Sequence, residues 1–174
     1  AYIDFFFPAL LCSTSMLIAF FESTYSSFTK LTHQHTYSTI VLAPISPEEV
    51  ILGEILWGAT KGLWSAFGVI LIASFFHLVD FKTIWLTLPL LAINAWAFSA
   101  AGMLVTSMAI NYDSFIYATS GIIVPMSLFS GTYFPIQSLP TFLQSLTWVF
   151  PLTHSVAATR AIHLGQPLSW EAGT

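Results

Sequence analysis

Between Thr83 and Tyr112 the chain has no Asp, Glu, Lys or Arg, and after Asp113 the next such residue is Arg160. Stretches this long and this free of charge have nothing with which to hold a water-facing surface. They are also long enough, as helices, to cross the ~30 Å hydrocarbon core of a bilayer. Composition points the same way. Of 174 residues, 56% are hydrophobic, 16% aromatic and 7% charged, and mean hydropathy is +0.79. A soluble domain carries about 25% charged residues, so lipid covers most of what water would cover elsewhere. The formal net charge of −4 excludes a nucleic-acid partner, which needs clustered Lys and Arg. The single cysteine, Cys12, allows no internal disulfide framework and reads as a small buried side chain in an apolar run.

Charges mark the borders of the crossings. Phe5 to Phe21 is uncharged between Asp4 and Glu22, and is long enough to cross if it continues toward Phe28. Val50 to Phe76 is a second span, with Glu54 and Lys61 only in its first half. Thr83 to Tyr112 is a third, filled by one tilted helix. The uncharged run after Asp113 is too long for one crossing and is broken by Pro125, Gly131, Pro135, Pro140 and Pro151. Phe115 to about Phe134 reads as a fourth span, kinked at Pro125. Beyond it, Leu139, Phe142, Leu143, Leu146, Val149 and Phe150 recur at helical spacing, with Gln137, Thr141, Gln144, Ser145 and Thr147 between them. That pattern predicts an uncharged amphipathic helix, re-entrant or interfacial, with Trp148 near the headgroups.

The chain is thus an all-α polytopic membrane protein, a single transmembrane domain over residues 1–174 that reads as incomplete at both ends, with no signal-peptide pattern. Lys30, after the first span, sets the orientation by the positive-inside rule. Ser23–Glu49 is expected in the cytoplasm, His77–Lys82 outside, Asn111–Ser114 inside and Gly131–Arg160 outside. This assignment leaves Lys82, close to Asp80, and Arg160 outside, and Arg160 counts against it.

The cytoplasmic loop, residues 31–49, holds the most local information. Ser46-Pro47-Glu48-Glu49 is a helix start: Ser46 caps, Pro47 suits the first helical position, and Glu49 completes a capping box. Pro44 and Pro47 stop any helix from running straight through. A short helix over roughly Tyr37 to Leu42 must therefore turn sharply into the second span.

The run from Leu42 through Ala43-Pro44-Ile45-Ser46-Pro47-Glu48-Glu49 to Glu54 resembles the segment between the second and third helices of ABC-2 type transporter permeases. Phe21-Glu22-Ser23-Thr24-Tyr25, Asn111-Tyr112-Asp113, Leu128 through Pro135, and Pro151-Leu152-Thr153-His154 resemble further stretches of that family, in the same order. Together they are most similar to permeases that export nodulation-type lipo-oligosaccharides. The resemblance spans nearly the whole chain. It implies a six-helix subunit in a bacterial inner membrane, of which four helices lie in this fragment. It implies a second permease subunit, as a homodimer, and a separate cytoplasmic ATPase that holds ATP and Mg, so this chain itself carries no cofactor. It implies that a coupling helix in the loop docks on that ATPase, with Thr36, Tyr37, Pro44, Ser46, Pro47, Glu48, Glu49 and Glu54 as the docking region. Residues 135–164 become an outer re-entrant helix pair.

Other residues admit two readings each. Glu54 and Lys61 lie about two turns apart on nearly one helix face; they either bias conformational states or sit at the interface with Lys61 snorkelling. Gly58, Gly62 and Ala66 form a small-residue face that suits close helix packing, or arise by chance in a membrane helix. His154, Arg160 and His163 either line an outer opening, where Arg160 would suit an anionic or sugar-bearing substrate, or belong to an ordinary surface helix. His33 and His35 lack further ligands for a metal. No phosphate-cradling Gly-rich loop and no catalytic constellation stands out. A secondary transporter or channel, and a membrane-embedded lipid-modifying enzyme resting on His154, Arg160 and His163, are the rival functions.

The orientation is testable in the full-length protein. With Thr36→Cys and Gln144→Cys introduced separately, an impermeant thiol reagent applied from outside is expected to label position 144 and spare 36. The reverse pattern inverts the topology.

Overall fold

A computed structural model describes residues 2–76, 81–133, 136 and 140–164. All of its regular structure there is helical. Helix α1 (Tyr2–Phe21) continues through a π-helical segment, Glu22–Ser26, into α2 (Ser27–Thr32). The short α3 (Thr36–Ile40) follows, then the long α4 (Pro47–Phe75) and α5 (Phe81–Met108). Helices α6 (Asp113–Ala118) and α7 (Val124–Ser127) are joined and continued by π segments at Thr119–Ile123 and Leu128–Thr132. Two further helices, α8 (Thr141–Thr147) and α9 (Pro151–Leu164), complete the described chain.

Among the described residues four stretches are long and apolar enough to cross a membrane: Phe5–Thr32, Pro47–Phe75, Thr83–Met108 and Asp113–Thr132. The first runs straight past Glu22, the residue that marks its border in the sequence. The fourth kinks not at Pro125, where the backbone stays helical between two π segments, but at Ser130–Gly131. Proline removes a donor and crowds the preceding turn, and a π segment beside it relieves the crowding by widening that turn. Gly131 has φ 75°, in the left-handed region that a residue without Cβ enters at little cost. The expected turn at His77–Lys82 falls mostly on residues 77–80, which lie outside the described residues, as do Gln137 and Leu139.

The first span is the hub. Of its most apolar stretch 56% is buried, against 28% and 33% for the next two spans, because α4, α5 and α9 all pack on α1. Lipid tails are as apolar as Leu, so helices in a bilayer gain little by hiding leucines from them. Close packing and interhelical hydrogen bonds hold them together instead. Both are present. Ala19, Ala59 and Ala95 form a tight apolar junction of α1, α4 and α5. A Cβ on Gly62 would lie 2.7 Å from the Ser15 carbonyl oxygen and 3.2 Å from Ala95 Cβ, and one on Gly58 would strike Ser23 Oγ. Ala66, one turn on, is fully buried. The small-residue face of α4 therefore meets α1 and α5 together. Around it run bonds from Ser99 Oγ to the Ile55 carbonyl (2.7 Å), Thr106 Oγ1 to the Ser23 carbonyl (2.8 Å) and Asn94 Nδ2 to the Cys12 carbonyl (3.1 Å).

Gly62→Ala is expected to lower stability by about 1–3 kcal/mol, since a backbone oxygen blocks the new methyl. Gly53→Ala, on the same helix with nothing within 4 Å of its would-be Cβ, is expected to be neutral or slightly stabilising. Thermal unfolding of both full-length variants in detergent compares them; equal midpoints contradict the packing account.

Candidate functional site

The cytoplasm-assigned end is built around α2, α3 and the start of α4. Ser46 is extended (φ −75°, ψ 147°), its side chain accepts from Glu49 N, and the Glu49 carboxylate accepts from Ser46 N at 2.9 Å, with Pro47 in the first turn. This capping box fixes where α4 begins and how the loop enters it. Pro44, Ser46, Glu48 and Glu49 are exposed, and so are Val41 (48%), Leu42 (87%) and Ile45 (41%). His35, at φ 50°, makes the left-handed turn that aims α3. Thr36 and Tyr37 on α3 are half-buried. The Tyr37 hydroxyl is buried near Ser27 and Glu54 without a well-aligned hydrogen bond, and burial first, then the Glu54 carboxylate, pushes its pKa up to about 12. Helix α3 thus covers one end of the first two spans. Tyr112, in the turn before α6, stacks on Tyr25 and T-packs on Phe28, and its hydroxyl meets Thr29 Oγ1 at 2.9 Å. The loop after the first span and the turn after the third are therefore on one side of the bundle.

Glu54 and Lys61 do not answer each other. Lys30 Nζ binds Glu54 at 2.8 Å, and Lys61 Nζ binds Glu22 at 2.7 Å. Lys61 also lies 5.2 Å from the Trp57 ring centroid. Each of these two charges of α4 is met by an opposite charge on the first span. At 1.5 Å per residue, Lys61 lies ~20 Å along α4 from its first residue, a depth at which an unpaired charge is costly. The sequence pointed to the α4 pair but not to Glu22 and Lys30, because Glu22 looked like the border of a span. The signal that could have found them is their own spacing of about two turns, matching that of Glu54 and Lys61.

At the opposite end, α8 places Phe142 (78% exposed) outward while Thr147 is fully buried. Thr153 Oγ1 donates to the Thr147 carbonyl at 2.6 Å, which ties α8 to the first turn of α9. His154 Nε2 lies 2.9 Å from the Trp148 carbonyl oxygen. Val156 is in the main apolar core, His163 packs on the Phe7 ring with centroids 5.5 Å apart, and Arg160 sits over Phe5 with Cζ 3.8 Å from the ring centroid. Arg160 and His163 thus turn toward the start of α1. Arg160 Nη2 donates to the carbonyl oxygens of Gly131 (2.9 Å) and Phe5 (3.1 Å). Among the described residues no cluster of His, Cys, Asp and Glu could hold a metal.

Four spanning helices, a short surface helix before a capped span at one end and a helix pair folded back at the other make a multi-pass helical membrane domain. Residues 2–164 match the model of the ABC-2 type transporter family, and the chain belongs to that family. It is 32% identical over 168 residues to "Nodulation protein J" of Rhizobium meliloti (strain 1021), a match covering 97% of this chain and 64% of that protein. The corresponding protein of Rhizobium leguminosarum bv. viciae is 31% identical over 169 residues, covering 97% of this chain and 65% of the relative. The "Inner membrane transport permease YadH" of Escherichia coli (strain K12) is 26% identical over 167 residues, covering 95% of this chain and 64% of the relative. The chain therefore spans a little under two thirds of the length of these relatives. No solved structure matches it significantly. Family and apolar helices together make it a multi-pass protein of the bacterial inner membrane.

The two ion pairs generate a prediction. Lys61→Met leaves Glu22 alone at membrane depth and is expected to cost about 2–3 kcal/mol. The double variant Glu22→Gln/Lys61→Met, with no charge left over, is expected to recover most of that loss. Unfolding midpoints of the two variants provide the check, and a double variant less stable than the single one refutes the pairing.

Proposed function

We propose that the chain is the membrane part of an ATP-driven exporter that moves a lipid-linked or lipo-oligosaccharide substrate, and that Thr36–Glu54 docks on a separate cytoplasmic ATPase, with a second copy of the permease completing the conduit. The observation that carries the docking is the character of the loop. Val41, Leu42 and Ile45, outside every span, are exposed beside the acidic Glu48 and Glu49 of the first turn of α4, on backbone that the capping box and two prolines hold at a set angle. Exposed apolar residues rimmed by charge on a rigid corner are what a protein partner covers. Tyr37, buried near Glu54, joins that corner to the first two spans, so movement of the loop reaches the transmembrane helices directly. ATP and Mg belong to the partner on this reading. Family membership and the names of the relatives, one a nodulation protein and one a transport permease, support a transport role; the direction and the substrate class rest on the resemblance of the sequence motifs.

Charge reversal tests the docking. Glu48→Lys/Glu49→Lys in the full-length permease is expected to reduce co-purification of its ATPase by about tenfold. Glu49→Gln, which preserves the capping box, is expected to leave it near normal. Undiminished assembly and transport with both lysines in place removes Thr36–Glu54 as the docking region.

A further inference from the structure

Three cations have described side chains: Lys30, Lys61 and Arg160. The two lysines each have a carboxylate. Arg160 has none among the described residues. Its Nη2 rests on two neutral carbonyls, its plane lies against the Phe5 ring, and its Nε is buried without a hydrogen bond. The carbonyl of Gly131 is free for this contact because the chain leaves the helix there in a left-handed turn. Just before it, the Ser130 hydroxyl is also buried without a partner, and just after it Thr132 Oγ1 meets Ser13 Oγ at 3.3 Å. So an under-compensated guanidinium and hydroxyl groups gather where α9, the end of the fourth span and the start of α1 converge.

A guanidinium matches an oxyanion far better than it matches carbonyls. Its planar fork meets two oxygens of one group at once, and an oxyanion offers it a full opposite charge where a carbonyl offers only a dipole. We propose that Arg160 binds the anionic head group, a phosphate, sulfate or carboxylate on an apolar tail, of the amphiphile that the exporter carries. The carbonyls of Phe5 and Gly131 hold the guanidinium in place beforehand. An arriving oxyanion binds the unpartnered Nε and takes Nη2 from the carbonyls, and in doing so unties α9 from the start of α1 and from the end of the fourth span. The substrate thus opens the contact that closes its own path. This deepens the exporter reading by naming the charge of its substrate, and rests on that reading for the word "exporter" alone.

Direct binding tests it without ATP or ATPase, so it can fail while the docking reading stands, and the reverse. The probe is radiolabelled dodecyl phosphate, titrated into full-length permease in neutral maltoside micelles. Saturable binding is expected, weakened by at least about tenfold in Arg160→Gln and by less in Arg160→Lys, which keeps the charge but not the fork. Unlabelled dodecyl phosphate is expected to compete and inorganic phosphate to compete far more weakly. Wild-type affinity in Arg160→Gln, or in Arg160→Lys if the glutamine variant does not fold, overturns the site. Competition by inorganic phosphate equal to that by dodecyl phosphate makes it a free-anion site and overturns the amphiphile assignment. Absence of saturable binding to the wild type overturns the proposal outright.

Discussion

The contact of α1 with α4 and α5 is made backbone to backbone, through Ala19, Gly58, Gly62 and Ala95. In lipid the burial of larger apolar side chains would not by itself gather three helices. What gathers them is dispersion between surfaces close enough to touch, and hydroxyls that can reach a carbonyl across the gap. Ser99, Thr106 and Asn94 reach their acceptors on neighbouring helices because the small residues bring those helices so near. The same closeness sets the positions of Glu22 and Lys30 opposite Lys61 and Glu54. Remove the small-residue seam and the ion pairs lengthen, the inner loop loses its base, and α9 loses the helix on which it rests.

The two ends of the molecule are built with different chemistry on this shared frame. At one end, rigidity comes from local devices: a capping box, a proline in the first helical turn and an aromatic cluster around Tyr112. At the other, beside the apolar packing of Leu152 and Val156, side chains donate to main-chain carbonyls, such as Thr153 to Thr147 and Arg160 to Gly131. Bonds of the second kind are exchangeable, since a better acceptor can displace a carbonyl without disturbing a helix.

Much of this was legible in the residues. The long uncharged runs located the spans because lipid tolerates so few charges, and Ser46-Pro47-Glu48-Glu49 announced the start of α4 because capping depends on neighbours in sequence. The spacing of Gly58, Gly62 and Ala66 marked a close contact but could not say with what, since the partners lie far away along the chain. Glu22 was hidden by its own charge, which looks like the edge of a span until a lysine on another helix is placed beside it. The setting of Arg160 was hidden for another reason. Its acceptors are main-chain carbonyls, which every residue has, so no side-chain pattern betrays them. The break at Gly131 rather than Pro125 likewise depends on π segments that the sequence does not advertise.

The two ion pairs between the first span and α4 run in opposite senses: acid to base at one level, base to acid at the next. On antiparallel helices this order amounts to a parity check. A slide of about two turns one way sets Lys30 against Lys61, and the same slide the other way sets Glu22 against Glu54. Had both acids been on one helix, such a slip would still have left an attractive pairing. As it is, the helices can tilt, bend or travel together, but they cannot creep past each other. Whatever strokes this membrane domain makes, the first span and α4 must make them as a single lever.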